Sequence, residues 1–129
     1  WPRTTSATSR NPIACAAGRA EAMTVTIYLR YVLNTAKLRE FEHYGRLWIP
    51  LVERFGGRHH GYFMPSEGAN NIALALFTFD SLAAYEVYRQ RSMEDAECQA
   101  AFRYAEETGC IVSYERSFFR PVFEGVGSD

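Results

Sequence analysis

The side chains best suited to chemistry fall in a few short stretches. His59 and His60 come first, because imidazole titrates near neutrality and binds metals. Neighbouring residues on a strand point to opposite faces, so the two histidines do not readily share one metal ion. One of them alone, His60 alongside Tyr62, can face a cleft as acid, base or hydrogen-bond donor. Arg30 shares a strand face with Tyr28 and carries a permanent charge, which calls for an internal carboxylate such as Glu115 or for a bound anion. Tyr114 and Arg116 alternate onto one face of a later strand and extend a polar lining. The aromatic rings of Tyr28, Tyr62, Phe77 and Phe79 suit either a pocket for a flat apolar molecule or the core of a dimer. Candidate ligand-binding residues are therefore Tyr28, Arg30, His60, Tyr62, Phe77, Tyr114 and Arg116.

Other chemistries find no motif. Cys98 and Cys110 have no histidine near them in sequence to lower a thiol pKa, and read as buried thiols. The chain contains no GxSxG, HExxH or phosphate-binding glycine loop, so whether it catalyses a reaction stays open. No metal and no cofactor is expected, although a haem is compatible with related barrel architectures. Three cysteines without a CxxC pair suggest neither a disulfide framework nor structural zinc, and fit a reducing, cytoplasmic setting. Fourteen basic and fifteen acidic residues leave a formal net charge of −1, which removes the attraction that nucleic acid or an anionic membrane requires. No apolar run reaches the roughly 20 residues that cross a bilayer, so membrane insertion is not expected.

The elements that position these residues follow from periodicity. Residues 1–22 lack both helical and strand periods and read as a disordered N-terminal extension; 23–122 form one domain, and 123–129 a tail. Thr24 to Val32 alternates as a strand, with Val25, Ile27, Leu29 and Tyr31 on one face and Thr26, Tyr28 and Arg30 on the other. A helix capped by Asn34 or Thr35 follows, with a kink or break expected near Trp48 because of Pro50. A hairpin comes next, Arg58 to Met64 and Asn71 to Phe79, the second strand apolar on both faces. Asp80 is expected to cap a helix with Leu82, Tyr85, Val87 and Tyr88 facing inward. A second short helix ends at Gly109, and Cys110 to Phe119 makes the last strand.

This order is the α+β ferredoxin-like split βαβ pattern, a four-stranded antiparallel sheet with its helices on one face. The other face is expected to carry Tyr28, Ala73, Ala75, Phe77 and Phe79, an apolar surface best buried against a second copy. A homodimer follows from that argument. Several strings in order, IYLRYVLN, Pro50-Leu51, Gly61-Tyr62-Phe63, Gly68 with Asn71, LFTFDSLAAYEVYRQR and Phe119-Arg120-Pro121, resemble the NIPSNAP family over about 100 residues. The resemblance implies a dimeric α+β barrel and no agreed reaction. Two functions fit: a dimeric barrel protein that binds or transforms a small apolar or aromatic molecule in its cleft, and a non-catalytic dimeric protein-interaction module.

Overall fold

A computed structural model describes residues 24–122; the extension read over 1–22 and the tail over 123–129 lie outside the described residues. The chain forms β1 (Val25–Leu33), a short 3-10 turn (Thr35–Lys37), α1 (Leu38–Arg54), β2 (Arg58–Phe63) and β3 (Ile72–Phe79). It continues through α2 (Leu82–Glu94), α3 (Ala96–Thr108) and β4 (Ile111–Phe119). The four strands pair antiparallel in the order β2-β3-β1-β4. This is the ferredoxin-like arrangement expected from the element order.

Local chemistry explains most element ends. Asn34 caps the 3-10 turn, its side chain accepting the Ala36 N–H, and α1 starts after it. Ser81, rather than Asp80, caps α2 by accepting the Ala84 N–H at 3.0 Å. Asp95 caps α3 through the Cys98 N–H at 3.0 Å, and Gly109 ends that helix in the left-handed conformation. Arg54 pairs with Asp95 at 2.7 Å and with Glu97, tying the end of α1 to the start of α3.

Pro50 does not break α1, which continues for 17 residues. Pro50 is exposed, so the carbonyl whose donor it removes can turn to water, while buried Trp48, Leu51 and Val52 hold both halves against the core. In α2 the buried positions are Tyr85, Tyr88 and Ser92, at the three- and four-residue spacing of one helical face. Val87 and Leu82, expected inside, are exposed: Val87 lies across the helix from Tyr85, and Leu82 at the margin of the stripe.

Strand parity sets which side chains meet the helices. Val25, Ile27, Leu29 and Tyr31 stand opposite Phe79, Phe77, Ala75 and Ala73, and all eight are buried under the helices. Ala73, Ala75, Phe77 and Phe79 were expected on the uncovered face, and this placement corrects that expectation. The uncovered face takes Ile72, Leu74 and Leu76 from β3, together with Tyr28, Arg30 and Val32 from β1. Because β3 is apolar on both sides, Ile72, Leu74 and Leu76 keep its open side apolar although its members change.

A second parity shift lies in β2. His59 stands opposite Phe77 and Gly61 opposite Leu76, so His60 is an extra residue in a β-bulge. Gly61 has φ +121, a conformation that side chains rarely adopt, and it is the residue that admits the bulge. Across the bulge His59 and Tyr62 face the helices, while His60 turns to the open face and reaches the Thr78 hydroxyl at 2.7 Å. His60 and Tyr62 therefore do not share a face, as uninterrupted alternation would have required.

Candidate functional site

The aromatic side of the sheet does not close fully against the helices. Between it and the helices lies a cleft of about 460 Å³, within the size range of small-molecule sites. Leu29, Tyr31 and Phe77 form its floor, Tyr44 and Trp48 come from α1, and Tyr85 and Tyr88 from α2. Phe102 and Ala105 of α3 close a further wall, and Tyr114 and Arg116 of β4 stand at its edge. Gly45 in α1 brings the helix close to this floor: a Cβ there would lie 2.8 Å from the Tyr62 ring, tighter than real contacts allow.

The cleft combines apolar walls with hydroxyl groups. Six tyrosines line it, namely Tyr31, Tyr44, Tyr62, Tyr85, Tyr88 and Tyr114. Burial, first among the causes, raises the pKa of Tyr31, Tyr44, Tyr62 and Tyr88, so these phenols stay protonated near neutral pH. They offer hydrogen bonds rather than bases. The Tyr31 and Tyr62 hydroxyls interact with each other, and their rings stack at 6.2 Å. The rim differs in character: Arg89 and Arg116 are exposed there, alongside Tyr114 and Phe102, each about half exposed.

Four of the sequence candidates, Tyr62, Phe77, Tyr114 and Arg116, line this cleft. Tyr28, Arg30 and His60 do not; they lie on the open face of the sheet, where Arg30 stands opposite Glu115 and Tyr28 meets Phe119 edge-on at 5.7 Å. Sequence reading missed Trp48, Tyr85, Tyr88 and Arg89 as cleft residues, since on an amphipathic helix they read simply as core or surface. Cys98 and Cys110 are free and fully buried, and burial pushes the Cys98 thiol up to about 12. Among the described residues no group of three or more His, Cys, Asp or Glu side chains is placed to hold a metal ion.

His59 is sandwiched against the aromatic floor, its ring stacking on Tyr62 at 5.1 Å and on Phe77 at 5.4 Å. Its Nδ1 accepts the Gly61 N–H at 2.9 Å, so the neutral ring carries its proton on Nε2, which is buried without a partner. Burial, and then the neighbouring His60, bring its pKa down to about 4, against an opposing pull from Glu53. The folded pKa lies below the unfolded value of roughly 6.5, so the unfolded chain takes up the proton first as pH falls. Stability from this residue is therefore complete above about pH 6.5 and is lost progressively as pH falls toward 4. Allowing for solvent screening of a partly exposed ring, the wild type should lose about 1 to 2 kcal/mol between pH 7 and 5 beyond the loss in His59→Gln. Urea midpoints across that range measure the difference; parallel profiles for the two proteins would remove His59 as its source.

The NIPSNAP family profile matches residues 28–123, nearly the whole folded domain. The chain belongs to the NIPSNAP family. A NIPSNAP-like domain protein from Burkholderia xenovorans superposes with a TM-score of 0.66 at 21% identity, over 78% of this chain and 87% of its own. A NIPSNAP family protein of unknown function from Agrobacterium tumefaciens gives 0.68 at 19% identity, over 78% and 90%. A proposed antibiotic biosynthesis monooxygenase from Nitrosomonas europaea reaches 0.61 at 9% identity, over 78% and 92%. At these identities the likeness establishes a shared fold and does not carry an activity across to this NIPSNAP chain. No curated protein sequence matches the chain. No helix among the described residues is long and apolar enough to cross a membrane.

Proposed function

We propose that this NIPSNAP protein binds a small apolar or aromatic molecule in the cleft between its sheet and helices, and that it does so as a homodimer joined through the open sheet faces. The observation that carries the reading is the cleft itself, about 460 Å³ of space walled by aromatic rings with hydroxyls spaced among them. Such sites are mostly apolar with a few placed polar groups that fix orientation. The groups present favour binding. Buried, protonated phenols donate and accept hydrogen bonds, and burial holds the Cys98 thiol away from nucleophilic thiolate. The dimer half of the proposal rests on Leu74, Leu76 and Ile72, which leave the apolar side of a central strand uncovered.

The chain has two tryptophans, Trp1 and Trp48, so Trp1→Phe leaves Trp48 in the cleft wall as the single reporter. Titration with 2-anthracenemethanol, a flat neutral probe that accepts energy from indole, should show saturable transfer from Trp48. Transfer that only rises linearly with probe concentration would mean that the cleft does not bind, and would end this reading.

A further inference from the structure

We infer that the molecule taken up is a flat, largely apolar acid, held with its carboxylate at Arg89 and Arg116 and its body among the rings. This deepens the binding reading above and rests on it. The charged residues that line the cleft are Arg89 and Arg116, both positive, and among the described residues neither forms an ion pair. Each is steadied by an aromatic ring instead: Arg89 lies over Tyr85 at 5.9 Å and donates to its hydroxyl at 3.3 Å, and Arg116 lies over Tyr114 at 5.6 Å. Stacking uses the guanidinium face and leaves in-plane N–H groups for a planar acceptor, which a carboxylate matches two bonds at a time. The adjoining groove shares Tyr85, Arg89 and Arg116 and brings in one acid, Glu86, which is not paired with either arginine.

The interior supplies a second, independent demand. Trp48 is 4% exposed, lines the cleft, and its Nε1 has no hydrogen-bond partner, although the Tyr44 hydroxyl lies near enough to interact with it. A buried N–H with only an off-geometry contact to a hydroxyl is still under-satisfied, and a well-placed ligand oxygen reaching Trp48 lowers that cost. An acid at the rim and an acceptor at the indole together describe one amphipathic molecule, apolar between two polar ends.

The test compares anthracene-2-carboxylate with 2-anthracenemethanol on the full chain, each followed by the probe's fluorescence anisotropy. The acid should bind about tenfold tighter or more, as a charge-assisted paired contact requires. Arg116→Ala and Arg89→Ala should each weaken the acid by about fivefold while shifting the alcohol by less than about twofold, and Arg116→Lys should restore only part of the loss. Equal affinity for acid and alcohol overturns the acid class and leaves the cleft standing. Failure of both probes to bind overturns the cleft reading itself. Loss of both probes in a variant whose circular dichroism is unchanged also counts against a rim that selects the acid group.

Discussion

Phe79→Ala should remove about 3 to 5 kcal/mol of folding stability, the range found for deleting a buried phenylalanine ring. Phe79 is 1% exposed and packs on Tyr88 at 5.1 Å, Tyr85 at 5.8 Å and Phe77 at 6.0 Å, so deleting its ring removes contacts with three other rings at once. Small domains are commonly stable by only about 5 to 15 kcal/mol, so the variant should approach the edge of folding. Urea unfolding at several protein concentrations gives the decisive reading. A core residue predicts a loss in stability that does not depend on concentration, whereas a residue in the dimer interface predicts a loss that shrinks as concentration rises. Phe63→Ala is the control, because Phe63 is 47% exposed on the open face and should cost little within one subunit. A Phe79→Ala protein as stable as the wild type would mean that β3 is placed the other way round.

Leu76→Asp should convert the proposed homodimer to monomers while leaving each subunit folded. Leu76 stands between Tyr28 and Gly61 near the middle of the open face and points away from the helices. Across a two-fold axis the substitution enters twice, so two carboxylates would be desolvated in one apolar interface without partners. A loss of about a hundredfold or more in dimer affinity is expected, equivalent to roughly 2.7 kcal/mol. Sedimentation equilibrium at micromolar protein should fall from twice the 14.7 kDa chain mass to that mass. Val87→Asp, on the exposed side of α2, should leave the assembly unchanged. A wild type that sediments as a monomer would sink the homodimer, and a Leu76→Asp protein that still dimerises would move the interface elsewhere.

The two experiments probe a single ambiguity from opposite sides. NIALALFTF is apolar at every position but its first residue and Thr78, so periodicity identifies a central strand and is silent on which side faces the helices. In β1 the alternation is legible, since Thr26 and Arg30 mark one side as less apolar than Ile27 and Leu29. Pairing then carries that parity across the sheet: Ile27 opposite Phe77 and Leu29 opposite Ala75 decide the faces of β3. The histidines show the same dependence, because an adjacent pair must split between faces but a bulge at Gly61 decides which neighbour joins each one.

By itself, the amino-acid sequence determined the class and order of the elements, a cap at Asn34 or Thr35, the stop at Gly109 and the family to which the chain belongs. These rest on local chemistry, side chains meeting their own backbone or repeating at a regular period, which needs no distant partner. The location of the cleft was decided only by the tertiary structure. Tyr62, Phe77, Tyr114 and Arg116 meet Trp48, Tyr88 and Arg89 through strand register and helix packing, while Tyr28, Arg30 and His60 are carried to the opposite face. The physical reason is that a side chain's face is a property of pairing between segments far apart in sequence, and one residue of register or one bulge reverses it.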